Sequence, residues 1–157
     1  MNEEIKSTTN LGDFEDRIRA FRDCMEPTLH LLPEDIIERL KWQGFFNAPA
    51  SAAHHGSHEG GLFEHSLNVT RSLVAITEKN GLSWMRPESP YIVGMFHDIC
   101  KQDQFTMEEI LCIRYHMGAF VDKSEWNDYT RAVHLYPNVL WTHTADMIAA
   151  HILEIDK

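Results

Sequence analysis

The run "GGLFEHSLNVTRSLVAI", residues 60–76, decides the fold of this 157-residue chain. Leu62, His65, Val69, Leu73 and Ile76 fall at i, i+3, i+7, i+11 and i+14, the spacing of one helical face, so His65 shares the apolar side of a helix. That places an imidazole in or beside the core. Gly60 and Gly61 open this helix and allow close backbone approach, and the N–H groups behind them could receive an anion. Upstream, "GFFNAPASAAHHGSHEGG", residues 44–61, carries Gly, Pro, Asn and Ser where a helix would be interrupted, and is expected to be the longest loop.

Helical signals extend in both directions from this segment. Between Asp13 and Leu31, Phe14, Ile18, Phe21 and Met25 recur at helical spacing, with Asp13 as N-cap. Pro33, Glu34 and Asp35 open a second helix with Ile36, Ile37 and Leu40 on its inner face. "YIVGMFHDIC", residues 91–100, is almost wholly apolar before His97 and Asp98, which predicts a short helix buried on most sides; by periodicity alone a strand is the alternative. Thr106 and Glu109 form a capping-box pattern and Gly118 a stop, so residues 106–118 are expected to be a helix with His116 in its last turn. A final helix is predicted from about Pro137 to Glu154, with Trp141, Ala145, Ile148, Ala149 and Ile152 along one side. With no repeat, low-complexity tract or strand-rich region, the chain reads as an all-α helical bundle with N-terminal amphipathic helices.

Composition narrows the function classes. The chain is 43% hydrophobic and 24% charged, the balance of a soluble globular domain, and its length suits one compact domain. A formal net charge of -10 argues against extended contact with nucleic-acid backbones or anionic membranes, which need clustered Lys and Arg. "MNEEIKSTTN" has neither a basic start nor an apolar signal core, so a cytoplasmic protein is expected. Cys24, Cys100 and Cys112 are odd in number and form no C-x-x-C, which suggests neither a disulfide framework nor a thiolate zinc site.

The residues with chemical potential are few. His97 and Asp98 offer an imidazole beside a carboxylate at the end of an apolar helix, a mixture that divalent ions of intermediate hardness accept. Taken alone, the pair better suits a histidine packed in the core with an aspartate capping something nearby. His65 on one core-facing helix and Asp146 on another apolar helix change that balance. Two imidazoles and two carboxylates converging on one point would form a four-ligand site of net charge -2 with room for water.

The order His65, His97-Asp98, Asp146 resembles the HD superfamily of metal-dependent phosphohydrolases. The words "FFNAPASAAHHGSHEGGLFEHSLNVTRSL", "FHDICK", "IRYHMGAF" and "LWTHTADMIAA" are similar to a bacterial and phage-type branch, and the first also to the HD domain of certain bacterial 3′→5′ exoribonucleases. The likeness spans roughly residues 34 to 155. It implies an N-terminal helical segment over 1–33 and an HD domain over 34–157, together one compact domain.

It also implies a phosphohydrolase that cleaves a phosphate ester of a nucleotide or short oligonucleotide with a metal-activated water. Its metal ligands would be His65, His97, Asp98 and Asp146, holding a divalent ion such as Mn, Fe, Ni, Co, Mg or Zn. Asp98, Lys101 and His116 would be catalytic. Lys101 follows Asp98 by about one helical turn, where its ammonium could bind phosphate. His116, with an unperturbed pKa of about 6.5, suits proton transfer or ligation of a second ion, and His55 would face the substrate. His54 and His58 read as solvated loop histidines, Glu64 as a supporting or surface carboxylate, and His134 and His143 as structural or exposed. Phe45, Phe46, Trp84 and Trp141 read as core, although one could stack on a base.

The sequence departs from its relatives in two places. Some HD nucleotidases carry a glutamate where Lys101 stands, and the H-D-x-x-K form here matches the exoribonuclease-like branch instead. Relatives of that branch also carry a G-H-G-E-K-S-like turn whose histidine can serve a second metal, whereas only "QDQFTMEEILC" separates Lys101 from Ile113. One ion is therefore expected and a second is left open. The same shortening supports an alternative: a non-catalytic metal- and nucleotide-binding regulatory domain. The expected partner is a small phosphorylated molecule, with no membrane and no extended nucleic acid; a homo-oligomer paired through the N-terminal helices is left open.

Overall fold

The stretch 60–76 does become the central helix, but it is buried on more than one side. The structure is a computed structural model that describes residues 11–50, 57–99 and 105–154. In chain order the α-helices are α1 (Phe14–Met25), α2 (Ile36–Trp42), α3 (Gly61–Asn80), α4 (Ser89–Phe96), α5 (Met107–Arg114), α6 (Trp126–Leu135) and α7 (Asn138–Ile148). Among the described residues there is no strand, and the fold is all-α. Residues 91–96 are thus helical, which settles the strand alternative. No described helix is long and apolar enough to cross a membrane.

Local chemistry sets the starts of α1 and α5. Asp13 caps α1 by accepting from the N–H groups of Glu15 and Asp16, while the Asp16 side chain returns to the Asp13 N–H. Thr106 and Glu109 close the same reciprocal box at the start of α5. Pro27 stops α-helical hydrogen bonding, and the chain continues as a 3₁₀ segment, Glu26–Leu31. Gly81, at φ 59°, ends α3 in the left-handed conformation, with the Leu82 N–H returning to the Thr77 carbonyl at 3.0 Å.

Two apolar clusters lie on either side of the α3–α4 pair. One contains Phe21, Met25 and Leu40 from the N-terminal helices, Phe45 and Phe46 from the turn after α2, Phe63 and Leu67 from α3, and Met95 and Phe96 from α4. Phe46 is its hub, meeting Phe14 and Phe21 edge-on and Phe45 and Phe63 at tilted angles. The other cluster joins Val69, Leu73 and Val93 to Cys112, Tyr115, Val139, Ala145 and Ala149. Burial of both flanks explains why Ser66, Asn68, Thr70 and Ser72 are also inaccessible.

Gly94 lets α3 and α4 touch. A Cβ there would lie 2.5 Å from the Thr70 Cα, so only glycine permits this approach. At the N-terminal side, buried Arg17 donates to the Gly12 carbonyl, to Asn47 Oδ1 and to Glu59 Oε1, tying α1 to both ends of the loop that precedes α3.

Two helix ends differ from expectation. α5 stops at Arg114, not at Gly118, so His116 lies beyond the helix rather than in its last turn. Tyr115 leaves helical geometry (φ -107°, ψ 21°), and Gly118, at φ 56°, begins a separate 3₁₀ turn. At the other end of the chain, α7 gives way to a π-helical turn, Ala149–Leu153, closed by the Glu154 N–H on the Ala149 carbonyl at 3.1 Å. The extra residue rotates everything after it. Ile152, expected inside, is 67% exposed, while Glu154 is buried.

Candidate metal centre

α3, α4 and α7 each deliver a polar side chain to one end of the α3–α4 contact. His65 comes from the second turn of α3, His97 from the residue just after α4 with Asp98 following it, and Asp146 from α7. The donor atoms converge. His65 Nε2 lies 3.2 Å from His97 Nε2, 3.1 Å from Asp146 Oδ1 and 3.9 Å from Asp98 Oδ2. His97 Nε2 lies 3.3 Å from Asp98 Oδ2 and 3.8 Å from Asp146 Oδ1. His65, His97 and Asp98 meet as a group able to hold a metal ion, and Asp146 lies against both imidazoles without belonging to that group.

The outer ring nitrogens show which way each imidazole faces. His65 Nδ1–H donates to both carboxylate oxygens of Glu154 at 3.1 Å, and His97 Nδ1–H donates to the Gly94 carbonyl at 2.8 Å. Both acceptors lack a proton to give, so each Nδ1 carries a hydrogen and each Nε2 faces inward, where it offers a lone pair whenever it is unprotonated. Two lone pairs 3.2 Å apart repel unless a cation or a proton lies between them. Imidazoles held through Nδ1 by a carboxylate or carbonyl are the usual arrangement at metal ligands. With ligand bonds of about 2.0–2.2 Å, donors around one ion lie about 3–3.6 Å apart at right-angled to tetrahedral geometry. Three of the separations fall in that range, and those of 3.8 and 3.9 Å lie slightly above it, so small side-chain shifts let the residues fit the ion that the sequence implies.

The electrostatics point the same way. Among the described residues, the ion-pair partners of Asp98 and Asp146 are imidazoles, with no Lys or Arg. Burial pushes the His65 pKa down, but hydrogen bonds to Asp146 and Glu154 outweigh it and hold the value up at about 10. Burial likewise opposes ionisation of Asp98, yet the His97 charge and the hydrogen bonds from His116 and His97 take its carboxyl far below the usual carboxylate range. Asp146 is lowered against burial too, first by its hydrogen bond with His65. Anionic oxygens and imidazoles that must share protons are the groups a divalent ion would neutralise in their place.

The cluster is graded from closed to open. His97 and His65 are buried, whereas Asp98 retains 31% of its side-chain exposure and forms the mouth. His116 adjoins this mouth: Nδ1–H donates to the Ile113 carbonyl at 2.7 Å and Nε2 lies 3.3 Å from Asp98 Oδ1, the oxygen turned away from His65 and His97. Burial lowers the His116 pKa, but the hydrogen bond to Asp98 more than offsets it and the net shift is upward.

The other candidates have distinct places. His55 and Lys101, along with His54 and Cys100, lie outside the described residues. His58 is not merely solvated, since its Nε2–H donates to Glu64 Oε2 at 2.8 Å. Glu64 is buried rather than a surface group, and it also accepts from the Leu11 N–H. His143 Nδ1–H donates to the His116 carbonyl at 2.8 Å, a supporting contact, while His134 is exposed. Phe45 and Phe46 are fully buried, and Trp84 and Trp141 pack against the second apolar cluster.

Glu154 is the residue that sequence reasoning missed. Asp146 and Glu154 stand eight apart, which in an α-helix of about 3.6 residues per turn leaves them about 80° apart around the axis. The π-helical turn inserts the extra residue that brings Glu154 round to His65. Asn68 Nδ2 fixes the carboxylate further, donating to Oε1 at 3.1 Å. Compared with known proteins, the chain matches no protein-family model, no curated protein and no solved structure.

Proposed function

We propose that this protein is a metal-dependent phosphohydrolase of the HD type, acting on a phosphate ester of a nucleotide or short oligonucleotide. One observation carries the proposal: His65, His97 and Asp98 converge within ligand reach of one another, Asp146 lies against both imidazoles, and acceptors on the outer ring nitrogens turn both rings inward. A single ion is proposed, with Asp146 as its fourth ligand, because His116 contacts the outer oxygen of Asp98 rather than the imidazole pair. When bound, a divalent ion supplies Lewis acidity toward a phosphoryl oxygen and lowers the pKa of water to the neutral range.

The side chains of this chain do the rest. Glu154 and the Gly94 carbonyl fix the two ligand rings, so the donor set is preorganised. Asp98, at the mouth, turns one oxygen toward the ligand rings and the other toward His116, where it can orient an attacking water. His116 Nε2 shares a proton with Asp98 Oδ1, which makes that proton available to a departing oxygen. Lys101 and His55 are proposed to contact the phosphate.

The test is metal analysis followed by turnover. Purified protein should carry about one equivalent of a transition metal, and His65→Ala or Asp146→Asn should remove it while circular dichroism remains helical. The metal-loaded protein should hydrolyse p-nitrophenyl phosphate, bis-p-nitrophenyl phosphate or a nucleotide. Absence of stoichiometric metal, with no turnover restored by Mn, Fe, Ni, Co, Mg or Zn, refutes the proposal. The short connection between Lys101 and Ile113 favours a second reading, a regulatory domain that binds nucleotide without cleaving it. Tight nucleotide binding with no turnover under any of these ions would select it.

A further inference from the structure

Outward from Asp98, contacts run through His116 and His143 to Phe120. His116 meets Asp98 through Nε2, and its carbonyl accepts the Nδ1–H of His143 at 2.8 Å. The His143 ring lies beside the phenyl ring of Phe120, with centroids 6.3 Å apart and planes at 57°. Gly118 makes room for this arrangement. At φ 56° it takes a conformation that side-chain-bearing residues avoid, and a Cβ there would fall 2.6 Å from the His143 ring.

Phe120 is 71% exposed, and it is the only exposed phenylalanine among the described residues. It is not on a loose tail. The 3₁₀ turn Gly118–Phe120 is closed by the Phe120 N–H on the Met117 carbonyl and the Val121 N–H on the Gly118 carbonyl, at 3.1 and 3.2 Å. An aromatic ring fixed in water beside an ionic pocket forgoes the stabilisation of burial until something flat covers it. With a divalent ion held beside Asp98, an occupant that meets both the ring and the ion would join an aromatic plane to an anionic group. Nucleotides have that form, and any base can stack on an aromatic side chain.

Resting on the hydrolase reading of the adjoining cluster, we infer that Phe120, backed by His143, is the base-stacking platform of the substrate subsite. The substrate is then a nucleotide or strand end with an unpaired base, and a sugar phosphate lacking the base is a poor substitute. Base contact here is sequence-tolerant, since the ledge offers ring surface rather than a set of base-edge hydrogen bonds.

The test compares a nucleoside 5′-monophosphate with ribose 5-phosphate, which has the same ester and no base, on the metal-loaded full chain. Phe120→Ala should raise KM for the nucleotide about five- to tenfold relative to KM for the sugar phosphate, the lower end of what base stacking is worth. Phe120→Trp should restore the preference, and Phe120→Leu, apolar but not aromatic, should not. Equal effects on both substrates, or full rescue by leucine, would overturn the inference. If wild-type protein turns over neither compound under any metal, the hydrolase reading fails separately. Saturation-transfer NMR with adenosine 5′-monophosphate then decides the platform: base protons should be saturated more than ribose protons, and Phe120→Leu should abolish the difference. No preference for the base protons in the wild type overturns it.

Discussion

Glu154 does not reach the ion point, yet the orientation of His65 depends on it. Its carboxylate holds Nδ1–H from both oxygens and is itself fixed by Asn68. Glu154→Gln keeps the shape while losing the charge, and removing such a partner weakens metal affinity by about 10- to 100-fold. Isothermal titration with Mn or Zn should show that loss with an unchanged helix signal; unaltered affinity would mean that Glu154 only packs. At this scale His65 and Asp146 were legible in the sequence because each is a polar residue interrupting an apolar helical pattern. Glu154 was not, since its role depends on a π-turn that no local pattern announced.

Among the elements, the α3–α4 contact positions the site. Gly94 sets how closely the helices approach, and its carbonyl also receives His97 Nδ1–H. Gly94→Ala must push backbone against backbone, so it should cost about 3 kcal/mol, the upper end for overpacking. Denaturant unfolding measures this, and metal affinity should fall with it because His65 and His97 lie on opposite sides of the contact. Gly118→Ala acts elsewhere. Strain at positive φ is worth about 1–3 kcal/mol, and the new methyl would also displace His143 from the His116 carbonyl. A loss of stability with base preference unchanged would contradict the ledge of rings. The helix starts at Asp13 and Thr106 were readable because a capping box is a local interaction of four residues. The ends at Arg114 and Ile148 were not, because Tyr115 leaves helical geometry and a π-helical turn follows Ile148 without a glycine or proline to mark either.

Across the whole molecule, the proposed ion and the core would act on the same folding equilibrium. An ion held by α3, α4 and α7 together binds the folded state alone, so metal at a hundred times Kd should stabilise the protein by about 2.7 kcal/mol. For a chain of this size that raises Tm by roughly 5–10 °C, reversed by a chelator; calorimetry with and without metal checks it. Cys112 reports on the second apolar cluster. Burial pushes its thiol from 9.0 up to about 12. A folded pKa above the unfolded value favours the neutral thiol, so this contribution is fully present below pH 9 and is lost as pH rises toward 12. Native protein at pH 8 should leave Cys112 unlabelled by iodoacetamide in peptide mapping, and unfolding should expose it. By itself, the sequence determined the helical class, the face on which His65 lies and the set of residues with chemistry to offer, because periodicity and capping are short-range properties of the chain. Only the tertiary structure decided that His65, His97 and Asp98 converge with Asp146 against the imidazoles, that Glu154 stands behind His65 and that Phe120 lies beside the His143 ring. Those relations span tens of residues, and they follow from how closely α3 and α4 pack at Gly94 and how the π-turn rotates the end of α7.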